Sequence, residues 1–162
     1  TIELAKEHHI PVFLDAGPAI DISLERLKGL FIISPNEAET FGLTGICPDT
    51  DANAFKAARL LYEKTAPTYV ILKLGDRGIL LYDGKESLRV PCFKVDAVDS
   101  TAAGDTFGAA LAISLCKGLS MMDAIRYAQA AAGICVSRTG AQSSIPTPEE
   151  ICRFLDSHPN LN

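Results

Sequence analysis

Several features that define other classes of protein are missing from this sequence. Lys and Arg number 15 against 20 Asp and Glu, and the net charge of -5 disfavours a nucleic-acid partner, which attracts basic surfaces. There is no signal peptide and no apolar run long enough to span a bilayer, so we expect a cytoplasmic protein without membrane contact. The chain contains neither GxxxxGK[ST] nor GxGxxG, which excludes a P-loop and a Rossmann fingerprint.

The cysteines and histidines form no recognised metal or nucleophile motif. The five cysteines include no CxxC pair and three lie in apolar helical patterns, so we expect reduced, buried thiols. The three histidines lie near the ends of the chain, and no Cys/His zinc spacing occurs. A zinc site and a His-based nucleophile are therefore not expected.

What is present is the composition of a globular domain. Apolar residues make up 48% and charged residues 22% of 162 residues, which predicts one domain over residues 1–162. The first residues have no initiator Met and resemble the middle of a helix, so we expect the chain to start inside a larger protein.

Short apolar runs alternate with amphipathic helical segments, which predicts an α/β fold with a largely parallel sheet. Strands are expected at 11–15, 30–33, 69–74, 79–82 and 88–91. Helices are expected from Glu37, from a cap at Asp51, from near Gly104, from Ser120 and from Thr147-Pro148.

The segment with the clearest chemical content is 98–107, Val-Asp-Ser-Thr-Ala-Ala-Gly-Asp-Thr-Phe. Its small residues lead directly into a helix, whose first N–H groups and dipole favour a phosphate or the charge that develops on one. Asp105 lies in that first turn, where a carboxylate can accept a proton from an attacking hydroxyl. On spacing alone, a stabilising Asp at a helix N-terminus explains the same residues.

Four segments, in order, resemble motifs of one enzyme family. Residues 99–107 resemble the signature of the ribokinase, or phosphofructokinase B, family of carbohydrate kinases. Residues 34–39 resemble its Asn-x-x-Glu segment, 73–78 its nucleotide-contacting hairpin and 140–146 a loop that closes a cation site. The resemblance implies a three-layer α/β sandwich, of which this chain is the nucleotide-binding and catalytic C-terminal part, without the N-terminal portion and lid.

The implied reaction is transfer of the γ-phosphate of ATP to a hydroxymethyl group of a sugar, with D-ribose and ribose 5-phosphate as the first expectation. Asp105 would be the general base. The N–H groups of Ala102, Ala103, Gly104 and Asp105 would form an anion hole for the phosphoryl oxygens.

The resemblance also implies the ATP, Mg²⁺ and K⁺ contacts. The nucleotide contacts would be Asn36, Lys73, Leu74, Gly75, Asp76, Arg77, Gly78, Gly104, Asp105 and Gln129. Glu39 would order Mg²⁺ through water. Potassium would be held by the Asp99 carboxylate, by the carbonyls of Thr101, Cys135, Arg138 and Gly140, and by an oxygen of Ser144.

Simpler interpretations stand beside these assignments. Glu39 fits a solvated helix face, residues 73–78 a plain hairpin turn, Gln129 the rim of an alanine-rich helix and Asp99 a turn before a helix. Asp15 stands where the family usually has Asn, which leaves its role open.

Two alternatives for the function remain. One is a fructokinase or another ketose or pentose kinase, and the other is a non-catalytic nucleotide-binding module. The family is roughly twice this length, and nothing here resembles its glycine-rich sugar site. We therefore expect the isolated chain to be inactive and to self-associate, as a homodimer or otherwise, because removing half of a sheet uncovers apolar strands.

Overall fold

The computed structural model describes residues 1–17 and 23–159. The chain divides into two compact units, Thr1–Pro91 and Cys92–Asn162. A single domain over residues 1–162 stays a prediction.

The first unit is built on a mixed sheet whose described strands lie in sequence order, β1-β2-β3-β4-β5. These strands are β1 (Phe13–Leu14), β2 (Ile32–Ile33), β3 (Tyr69–Lys73), β4 (Ile79–Tyr82) and β5 (Ser87–Val90). The first three run parallel, whereas β4 and β5 return antiparallel as hairpins. The expected α/β fold with parallel strands is confirmed, although β1 and β2 are only two residues long.

Three helices accompany this sheet: α1 (Ile2–Glu7), α2 (Glu37–Thr44) and α3 (Asp51–Thr65). Short 3-10 turns occur at Leu24–Leu27 and Gly75–Arg77. Helix α3 buries Leu61 and its alanine face in one core cluster with Val70 and Leu72 of β3. The predicted cap at Asp51 is wrong. Thr50 is the N-cap, because its side chain accepts the N–H of Asn53.

The second unit is helical, with α4 (Ala103–Cys116), α5 (Met121–Val136) and α6 (Pro148–Ser157). A 3-10 turn spans Gln142–Ser144. The small-residue face of α5 is buried, including Ala124, Ala128 and Ala131. Helix α6 begins as predicted, with a reciprocal capping box between Thr147 and Glu150. Within the described residues, no helix is both long and apolar enough to cross a membrane.

The cysteines differ from the expectation of buried thiols. All five are free, but only Cys135 is buried, and Cys47, Cys116 and Cys152 are exposed. An apolar helical pattern did not predict burial for Cys116 and Cys152, because each lies on the solvent side of its helix.

Candidate active site

The N-terminus of α4 presents Asp105 as the sequence predicts. Asp105 is exposed in the first turn of the helix. Ala102, the N-cap, adopts a left-handed conformation with φ 60° and ψ 6°. Its carbonyl accepts the N–H of Thr106 at 2.9 Å, which closes the first helical turn. The helix therefore begins at the small residues that the sequence placed there.

One of the four N–H groups predicted to form the anion hole has a partner within the protein. The N–H of Ala103 donates to the carbonyl of Ser100 at 3.2 Å, so this donor is already used by the turn. The N–H groups of Gly104 and Asp105 belong to the first helical turn, where no carbonyl four residues earlier lies in the helix. These two donors, together with the helix dipole, are the groups suited to an anion.

Asp99 connects two loops of the second unit. One carboxylate oxygen accepts the N–H of Thr101 at 2.9 Å, and the other accepts the N–H of Gly140 at 3.0 Å. Hydrogen bonds from the Thr101 side chain, from the Gly140 backbone and from the Thr101 backbone lower the pKa of Asp99 to about 2. The carboxylate is therefore ionised at neutral pH and tied to both loops.

Cys135 extends the connection between these loops. Its buried Sγ lies 3.2 Å from the Oγ of Ser144 and 3.6 Å from the carbonyl oxygen of Thr101. The hydroxyl of Thr106, the residue after Asp105, donates to the same sulfur at 3.5 Å. The structure thus brings Asp99, Thr101, Cys135, Gly140 and Ser144 of the predicted cation site into one contact group.

The Arg138 side chain has a partner that the sequence did not predict. Its guanidinium contacts both carboxylate oxygens of Glu150, at 2.6 and 3.3 Å. The hydrogen bond from Arg138 is the largest of the effects that lower the pKa of Glu150 to about 2. The side chain is thereby fixed on α6, which leaves only its carbonyl for the predicted cation role.

In the first unit, Asn36 and Glu39 form a reciprocal cap at the start of α2. The Asn36 side chain accepts the N–H of Glu39 at 2.9 Å, and the Glu39 carboxylate accepts the N–H of Asn36 at 2.7 Å. Glu39 is therefore not a freely solvated side chain. Its other oxygen, Oε1, lies against Gly17, where an added Cβ would come within 2.5 Å of it.

The backbone conformation of the turn at residues 73–78 requires its two glycines. Gly75 and Gly78 have φ values of 57° and 80°, a region that side chains other than glycine rarely adopt. The turn is closed by the N–H of Leu74 donating to the carbonyl of Gly78 at 2.9 Å. Arg77 is held by an ion pair to Glu37 at 2.8 Å and by the carbonyl of Pro48. The turn is thus held by contacts of its backbone and of Arg77, and Asp76 also has an interaction partner.

Lys73 and Asp15 form an ion pair that sequence reasoning missed. Lys73 Nζ lies 2.6 Å from Asp15 Oδ1 across 58 positions of sequence. The signal was faint: an acid directly after one buried strand and a lysine at the end of another. The order of the strands in the sheet was needed to predict that the side chains of Lys73 and Asp15 are in contact.

Gln129 is buried in α5, at 8% exposure. This burial does not fit the simpler interpretation of a polar residue at the rim of the helix, and the nucleotide contact of Gln129 stays a prediction. Buried amides are usually hydrogen-bonded, and Gln129 has an interaction partner within the protein.

A family model described as pfkB family carbohydrate kinase matches residues 1–148, and the chain belongs to that family. Among curated relatives, ribokinase of Haemophilus influenzae is 40% identical over 154 residues, which are 95% of this chain and 50% of the relative. This chain thus spans about half the length of that protein.

Two solved structures have the same fold over nearly all of this chain. Ribokinase of Thermotoga maritima is 41% identical with a TM-score of 0.85, covering 96% of this chain and 52% of that one. Ribokinase of Arabidopsis thaliana, solved with ribose and ATP, is 33% identical with a TM-score of 0.88, covering 95% and 50%. The resemblance to carbohydrate kinases is confirmed.

Proposed function

We propose that the full-length protein containing this chain is an ATP-dependent sugar kinase, with D-ribose as its acceptor. The observation that carries the proposal is the position of the Asp105 carboxylate in the first turn of α4. The backbone N–H groups of Gly104 and Asp105 lie in the same turn. A base and an anion-stabilising helix end are the two parts that phosphoryl transfer requires of a protein. The names of the relatives support ribose as the acceptor.

In the proposed reaction, Asp105 accepts the proton of the sugar hydroxymethyl group while the hydroxyl oxygen of the sugar attacks the γ-phosphorus. The bond between that phosphorus and the β,γ-bridging oxygen breaks, and ADP leaves. The N–H groups of Gly104 and Asp105 donate to the phosphoryl oxygens as charge spreads over them.

The residues present also fit the two cations. The Asp99 carboxylate, the carbonyls of the two loops that it connects and the Ser144 hydroxyl would supply hard oxygen ligands of the kind that suits K⁺. Potassium there would screen the anionic site, while the protein groups hold the loop that leads into α4. Glu39 offers a carboxylate whose Oε2 already accepts a backbone N–H, which fits the water-mediated Mg²⁺ contact proposed for it.

The test is a matched pair of variants of the full-length protein. Asp105→Asn should lower kcat with ribose by roughly 10²–10⁴ and leave MgATP binding intact, the usual size of a general-base contribution. Asp123→Asn removes another first-turn carboxylate, that of α5, and should leave kcat unchanged.

The acceptor is tested in the same assay with ribose, 2-deoxyribose and fructose. Ribose should give the highest kcat/KM. Near-normal turnover of Asp105→Asn would remove this residue from the mechanism. MgATP binding without phosphorylation of any of these sugars would instead favour a non-catalytic nucleotide-binding module.

A further inference from the structure

The ion pair between Lys73 and Asp15 is the least exposed one among the described residues. The Lys73 side chain is 13% exposed and that of Asp15 is 30% exposed, whereas both partners of Arg59–Glu63 are more than half exposed. Taking charges out of water is costly even for a partly buried pair such as this one, so the pair contributes little net stability. Its presence at this point in the fold therefore calls for a reason other than stability.

The pair lies at the carboxyl end of the parallel strands. Asp15 follows β1 and Lys73 ends β3, while β2 lies between these two strands. The N–H of Lys73 donates to the carbonyl of Pro35 at 2.9 Å, directly before Asn36. Gly17, two residues after Asp15, lies against the carboxylate of Glu39. Lys73 and Asp15 are therefore neighbours of the Asn36–Glu39 segment, at the edge where α/β sheets bind ligands.

A lysine side chain has four rotatable bonds, and fixing it on binding a ligand costs conformational entropy. The ammonium group carries three donors, and the contact with Asp15 occupies one of them. A lysine fixed in this way still offers its charge and further donors to an anion. Because Asp15 already restricts the side chain in the free protein, part of the entropic cost of binding is avoided.

We propose that Asp15 is a positioning residue that holds the Lys73 ammonium for the phosphate chain of the nucleotide. The inference rests on the proposed function, from which it takes MgATP as the ligand. It assigns Lys73 to the phosphates rather than to the adenine or ribose, and gives Asp15 the task of orienting that contact.

The experiment is a double-mutant cycle on the full-length protein, with calorimetric binding of MgATP, ADP and adenosine. Asp15→Asn is isosteric and should weaken MgATP binding about three- to tenfold, the size expected for losing the restriction on one long side chain. Lys73→Met should weaken it about ten- to a hundredfold, as for a charged hydrogen bond. Adenosine binding should stay within about twofold of the wild type in both variants, because adenosine carries no phosphate.

The decisive measurement is the coupling between the two substitutions. In the Lys73→Met background, Asp15→Asn should cause no further loss, because the side chain that Asp15 positions is gone. Glu63→Gln breaks the exposed Arg59–Glu63 pair by the same chemical change, and it should leave all three affinities unaltered. Asp15→Ala gives a second truncation of the carboxylate, and thermal melts identify any variant that does not fold.

Three outcomes would overturn the inference: additive losses in the double variant, equal losses for adenosine and MgATP, or unchanged MgATP binding in Asp15→Asn and Asp15→Ala. Sugar phosphorylation is not needed for this measurement. A protein that shows the coupling but phosphorylates no sugar would therefore refute the proposed function and leave the role of Asp15 standing.

Discussion

Replacing Ala102 by glycine should make this protein more stable, although glycine usually weakens a helix. Ala102 has φ 60° and ψ 6°, in the left-handed region that costs a residue with a Cβ roughly 1–2 kcal/mol. Glycine avoids that cost but brings about 0.4–1 kcal/mol of additional chain entropy in the unfolded state. The difference predicts a gain of about 0.5–1 kcal/mol in the free energy of unfolding.

Equilibrium urea denaturation measures this gain. With a slope of about 2 kcal/mol per molar urea, the midpoint of Ala102→Gly should rise by about 0.3–0.5 M. Ala109→Gly is the matched control, because Ala109 is exposed within the regular part of α4 and should lose about 1 kcal/mol. If Ala102→Gly lowers the midpoint as Ala109→Gly does, the left-handed conformation assigned to Ala102 is wrong.

Two further predictions concern the loops around Asp99. K⁺ should activate the full-length enzyme through kcat or nucleotide affinity, and Asp99→Asn should abolish that response; equal activity in K⁺ and in tetramethylammonium would exclude a cation site. Hydrogen bonds present only in the folded protein lower the pKa values of Asp99 and Glu150 to about 2. The two carboxylates therefore contribute fully to the free energy of unfolding above about pH 4.5, and this contribution is lost as the pH falls toward 2. The urea midpoint should fall across that window, and an Asp99→Asn/Glu150→Gln variant should show a smaller fall; an equal fall in both proteins would contradict the assignment.

The sequence predicted elements wherever local signals agree. The apolar run of β3 and the glycines after it predicted the hairpin with β4, because strand pattern and turn chemistry point to the same structure. The Thr147-Pro148 start of α6 was predicted for the same reason, since cap and first-turn residues are local. Thr50 was missed in favour of Asp51 because both residue types cap helices well, and only the backbone geometry separates them.

The parts of the candidate site that depend on distant contacts could not be predicted. The family resemblance placed Asp99 and Gly140 in one predicted cation site, but it did not predict that the Asp99 carboxylate accepts the N–H of Gly140. The pairing of Arg138 with Glu150 requires α6 to pack near the end of α5, which no local pattern encodes. The reciprocal cap of Asn36 and Glu39 could have been predicted from the sequence, because Asn followed by Glu three residues later resembles a capping box.

The order of the strands in the sheet has a consequence for how the chain folds. Every described strand of the first unit pairs with the strand next to it in sequence, from β1 through β5. Only the antiparallel pairs β3–β4 and β4–β5 are joined by short turns, so these two pairing steps cost little chain entropy. We expect the hairpins of β3, β4 and β5 to form first, on the microsecond scale typical of hairpins, because the parallel pairings need longer crossovers. We therefore expect this sheet to grow from β3–β5 toward β1, so that the edge carrying Asp15 is completed last.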